Sequence, residues 1–102
     1  HAPENVTPSH ILKSIGTFFE ISLEDLIGHS RKKEVVIPRQ IAMYLLREET
    51  KSSFPEIGNK LGGRDHSTVI HAYEKIKKEE NGNEITKQEI TLIKERLYQT
   101  FE

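Results

Sequence analysis

The alternation of apolar and polar positions divides this chain into helical segments with legible ends. Ile11, Leu12, Ile15, Phe18 and Phe19 fall on one face of a helix. Thr7 followed by Pro8 supplies an N-cap with proline at the first helical position, so that helix is predicted from Pro8 to about Glu20. Ser22 caps a second, short helix ending at Gly28, with Ile21 and Leu26 placed as a hydrophobic staple. The polar, basic segment from His29 to Glu34 has no periodicity and is predicted to be an exposed loop. Pro38 is expected to start a third helix running to about Lys51, whose middle, "IAMYLL", is apolar nearly all round and therefore central to the core.

Ser53 with Glu56 has the spacing of a capping box and opens a fourth helix, "FPEIGNKL", stopped by Gly62 and Gly63. A fifth helix is predicted from about His66 to Glu80, ended by Asn81-Gly82. Thr86 with Glu89 reads as another capping box, with Ile85 and Ile90 as its staple, ahead of a last helix on which Ile90, Ile93, Leu97 and Phe101 share a face. No segment sustains strand alternation. The fold expected is all-α, a compact bundle of about six helices in a single domain over residues 1–102, with a helix-turn-helix at about 53–80.

The fifth helix carries the unusual chemistry. Val69, Ala72, Tyr73 and Ile76 form its inward stripe, while Ser67, His71, Glu74 and Lys78 lie opposite. Arg64, Asp65, His66, Ser67 and Thr68 crowd its N-terminal end directly after a Gly-Gly turn. That end of such a motif enters a major groove, and its free N–H groups and positive dipole suit phosphate. Arg and His donate, Asp accepts from a cytosine amino group, and small hydroxyls reach base edges without filling the groove. A bland reading stands beside this one. Two-helix corners with a glycine turn occur in proteins that never touch DNA, Asp65 has the position of an ordinary N-cap, and "RKK" at Arg31 to Lys33 has the composition of a solvated loop.

Composition narrows the field. At 102 residues with no cysteine, the chain has no disulfide framework and no thiolate metal site, which fits a reducing compartment. Its longest apolar run is too short to cross a bilayer, and it opens on His1 rather than Met, the start expected of a fragment of something longer. Net charge is −1, so a polyanion would have to be met by a local patch. Between His29 and Arg47 the cations Arg31, Lys32, Lys33, Arg39 and Arg47 face Glu34 as the only acid. Catalysis and metal binding find little support. His66 and His71 do not align on one helical face, no HExxH occurs, and "GGRDHST" lacks the lysine and spacing of a phosphate-cradling loop. No enzymatic activity is expected.

"GGRDHSTVIHAYEKI", together with "PRQIAMYLLRE" (Pro38 to Glu48) and "SFPEIGNKL" upstream, closely resembles the signature of the C-terminal DNA-binding domain of the DnaA family of bacterial replication initiators. The resemblance covers most of residues 5 to 101. It implies sequence-specific binding to duplex DnaA boxes, short A/T-rich sites at the replication origin, with the helix-turn-helix in the major groove and a basic-loop arginine in the adjacent minor groove. Carried over by position, Arg31 is the minor-groove candidate and Asp65, His66 and Ser67 are the major-groove readers. Lys33 belongs to the basic loop, and Arg39, Gln40, Arg47, Pro55, Arg64, Thr68 and His71 match phosphate-contacting or base-adjacent positions. Ser67, often threonine in the family, lacks a methyl for a thymine, and Glu34 thins the basic loop. The resemblance further implies a monomeric domain in the bacterial cytoplasm, at the nucleoid, following an ATPase domain that would bind ATP; the chain itself needs no cofactor. The alternative is a helical protein-interaction module that presents the same surface to a replication regulator.

Overall fold

The computed structural model describes residues 6–99, which form six α-helices: α1 (Pro8–Phe19), α2 (Leu23–Ile27), α3 (Lys33–Thr50), α4 (Phe54–Lys60), α5 (His66–Gly82) and α6 (Glu84–Gln99). The all-α expectation holds, and among the described residues there is no strand. His1 and Phe101, both invoked from the sequence, lie outside the described residues.

Three of the predicted helix starts are built as their residues dictate. The Thr7 hydroxyl accepts from the His10 N–H, with Pro8 in the first turn where its missing donor is not needed. The Ser22 hydroxyl accepts from the Asp25 N–H. Ser53 and Glu56 close a reciprocal capping box, in which the Ser53 hydroxyl accepts at 3.2 Å and the Glu56 carboxylate accepts the Ser53 N–H at 2.8 Å. That backbone bond holds the Glu56 carboxyl below the ordinary range.

Two starts differ. Pro38 does not open α3 but lies buried inside it, five residues past its first residue, so Lys33 and Glu34 belong to the helix rather than to the loop. The Lys32 carbonyl accepts from both Val35 and Val36 N–H, which closes the first turn without a side-chain cap. Val35 is buried and Ile37 packs on the core, and this burial outweighs the bond that Pro38 cannot make. At α6 the cap is Asn83, whose Oδ1 accepts from Ile85 and Thr86 N–H. Thr86 is then a buried first-turn residue and Ile85 is 70% exposed, so neither the Thr86–Glu89 box nor the Ile85 staple forms.

α3 runs through the middle and packs against α1, α2, α4 and α5, while α6 closes the bundle against α1 and α5. All of Ile41 to Leu46 are buried, as an all-round apolar segment requires. Each of the three tyrosines in the chain donates its hydroxyl to a glutamate on another helix: Tyr44 to Glu80, Tyr73 to Glu48 at 2.5 Å, and Tyr98 to Glu49 at 2.6 Å. The first two bonds run in opposite senses between α3 and α5, and the Tyr44 and Tyr73 rings stack with centroids 5.4 Å apart.

The α4–α5 corner is a helix-turn-helix. Gly62 and Gly63 take φ of +82° and +76°, a left-handed pair that side chains rarely adopt. The Arg64 N–H returns to the Gly58 carbonyl at 2.9 Å, drawing the turn tightly onto α4.

Candidate nucleic-acid interface

The first turn of α5 projects a run of exposed side chains. Asp65 is its N-cap, with Oδ2 accepting from the Ser67 N–H at 3.1 Å, and its other oxygen lies 3.6 Å from His66 Nδ1. The capping role read from the sequence is therefore occupied, and it leaves Oδ1 facing outward beside His66. Ser67, Thr68 and His71 are exposed, and their side chains make no hydrogen bond to any described residue. No acid lies inside that first turn of α5, so the Asp65 cap is the one carboxylate set against the positive end of its dipole.

A surface groove between α3 and α5 brings Arg39, Gln40, Arg64, Thr68 and His71 together. It adds Lys75, which the sequence reading missed and whose Nζ donates to Gln40 Oε1 at 2.9 Å. The signal was available, because Thr68, His71 and Lys75 follow one another at helical spacings of three and four. Arg47 and Pro55 flank the start of α4 instead. The Arg47 guanidinium lies 4.3 Å from the Phe54 ring centroid and donates to the Ser52 carbonyl at 3.1 Å, while Pro55 is exposed beside it.

The two groove arginines are not free cations. Arg39, only 5% exposed, donates from Nε to the Leu26 carbonyl at 2.7 Å, from Nη1 to Ser30 at 2.9 Å and from Nη2 to Asp25 at 3.0 Å. Arg64 donates from Nη1 to the carbonyls of Ile27 and Leu61 and from Nη2 to that of Gly28. Burial pulls the Arg39 guanidinium below its ordinary range, and the neighbouring Arg64 charge adds to this; burial alone does the same to Arg64. Arg31 and Lys33 are the reverse, exposed and bonded through their side chains to no described residue.

Residues 8–76 match the family described as the bacterial dnaA protein helix-turn-helix. The chain belongs to this family. The match takes in α1 to α4 and most of α5, and so encloses both the Arg31 loop and the α5 N-terminus. The chain is 44% identical over 96 residues to the chromosomal replication initiator protein DnaA of Thermomicrobium roseum, covering 94% of this chain and 21% of that protein. It is 48% identical over 94 residues to the DnaA of Roseiflexus castenholzii, covering 92% and 20%. It thus spans about a fifth of the length of these DnaA relatives. A crystal structure of a DNA replication initiation factor superposes with a TM-score of 0.80 at 25% identity, over 93% of this chain and 29% of the other. The α4–α5 helix-turn-helix lies within the DnaA-family match except for the end of α5 beyond residue 76.

Proposed function

We propose that this chain is a sequence-specific DNA-binding domain of a chromosomal replication initiator, which recognises a DnaA-box duplex with the first turn of α5 in the major groove and Arg31 in the adjacent minor groove. The observation that supports this best is the exposed row of Ser67, Thr68 and His71 beside Asp65 and His66, on the helix-turn-helix of a family named for that motif. Asp65, His66 and Ser67 read base edges, and Arg31 enters an A/T-rich minor groove whose narrowness concentrates negative potential. The chain acts as a monomer without ATP, nucleotide binding belonging to another part of the initiator. A mobility shift comparing a DnaA-box duplex with a scrambled duplex tests the reading, and equal retention of both sinks it.

Two results follow from the geometry. With Arg39 and Arg64 committed to carbonyls and Arg47 bonded to that of Ser52, the charges left to displace counterions are chiefly Arg31, Lys32 and Lys33. Log affinity against log salt should therefore fall with a slope of about −3, at roughly −0.9 per phosphate neutralised. A slope of about −5, at roughly −0.9 per phosphate, would mean that the clamped arginines meet phosphate after all. Asp65→Asn should separate capping from reading, because asparagine caps as well as aspartate but presents donors as well as an acceptor. Thermal stability should stay within about 0.5 kcal/mol while affinity for the cognate duplex falls by about 1–3 kcal/mol. If the cognate and scrambled duplexes lose equally, Asp65 is a cap and nothing more.

A further inference from the structure

Two guanidinium groups converge on one end of α2. Arg39 reaches it from the second turn of α3, and Arg64 from the turn between α4 and α5. Between them they take the carbonyls of Asp25, Leu26, Ile27 and Gly28 and, past the bend, that of Ser30. A helix C-terminus leaves such carbonyls without intrahelical partners and is the negative end of its dipole. Gly62 tightens the junction, since a Cβ there would collide with the Ile27 carbonyl oxygen. The segment that follows is the one that carries Arg31. It is tied down at Gly28 and Ser30, and the Lys32 N–H donates to the Ser30 hydroxyl at 3.3 Å.

We propose that Arg39 and Arg64 are positioning residues, which lock the Arg31 loop to the first turn of α5 so that the minor-groove and major-groove elements meet DNA as one rigid body. This rests on the DNA-binding reading above. A guanidinium fork suits the task because it bonds two carbonyls at once in a fixed plane, whereas an ammonium is a mobile point charge. The gain is preorganisation: once α5 is seated, Arg31 arrives at its groove without the loop having to be ordered at that moment.

Arg64→Lys keeps the charge but not the fork, and it is measured beside Arg31→Ala and the double variant on a DnaA-box duplex. Arg64→Lys should weaken binding about tenfold with the salt slope unchanged, and adding Arg31→Ala to it should cost little more, because the two act as a unit. The ¹⁵N relaxation of the His29 to Lys32 amides in the free protein should show increased fast motion in Arg64→Lys. Unchanged binding, losses that simply multiply, or loop amides as ordered as in the parent protein would each overturn the proposal. A glycine inserted between Ser30 and Arg31 leaves both arginines bonded yet frees Arg31, so it should match the loss of Arg31→Ala; full affinity in that insertion also overturns it. If the parent protein itself retains scrambled duplex as well as the box, the DNA reading has failed, and the relaxation measurement still decides whether the clamp orders the loop.

Discussion

Gly58→Ala is expected to destabilise the protein by about 3 kcal/mol, although alanine inside a helix normally adds up to about 1 kcal/mol over glycine. The sign reverses because Gly58 in α4 faces the turn of its own motif. A Cβ there would collide with the carbonyl oxygen of Arg64, and it would also lie 3.6 Å from Val69 Cγ2. The obstacle is backbone, with no flexible side chain that can swing aside. Relief requires the turn to lift from α4, which breaks the 2.9 Å bond from the Arg64 N–H and drags the Arg64 fork off the end of α2. Chemical denaturation gives the number directly. A variant as stable as the parent would mean that the turn has slack which the packing denies.

The second large effect contrasts two arginines of one patch. Arg39→Leu should cost about 3 kcal/mol of folding stability, since it strips three carbonyls near the core of a charged donor at roughly 1 kcal/mol each. Arg31→Leu should change stability by less than about 0.5 kcal/mol, as expected of an exposed side chain without partners. For DNA affinity the order is set by contact instead, and Arg31→Leu should lose discrimination for the A/T-rich part of the box in a fully folded protein. Calorimetric melting of both variants is the check. Equal shifts in melting temperature would show that Arg39 contributes nothing to the fold that an exposed arginine does not.

These cases also show where the sequence was legible. Thr7, Ser22 and the Ser53–Glu56 pair act on N–H groups three residues away, so their meaning is local and can be read from order alone. The inward stripe of Val69, Ala72 and Ile76 and its exposed counterpart of Ser67, His71, Glu74 and Lys78 were likewise fixed by the helical period. Pro38 misled because the rule for proline at a helix start is also local. The contrary signal, burial of Val35 and Ile37 against other helices, is not. Asn83 is obscured for the same kind of reason, as Thr86 and Glu89 imitate a box one turn too late. Arg39 and Arg64 look like surface cations in the sequence, yet, apart from that of Leu61, the carbonyls they serve lie 9–14 and 36–37 residues upstream at α2 and the loop. Nothing in their own neighbourhood announces it.

The tyrosine–glutamate pairs have a consequence in alkaline solution. Burial, reinforced by the bonded glutamate, raises the Tyr44 and Tyr98 phenols, and the bond to Glu48 raises that of Tyr73 ahead of burial. In the unfolded chain all three would ionise near pH 10. Because each folded-state value is the higher one, the stability these phenols lend is whole below that pH and is lost as the pH climbs through the folded values. Above pH 10 the unfolded ensemble sheds protons that the native state keeps, so base pulls the equilibrium toward unfolding. Phenolate absorbance should then rise in a single steep step together with the loss of helical circular dichroism, rather than in three gradual titrations. In a chain without tryptophan, the tyrosines become the built-in dye for global unfolding.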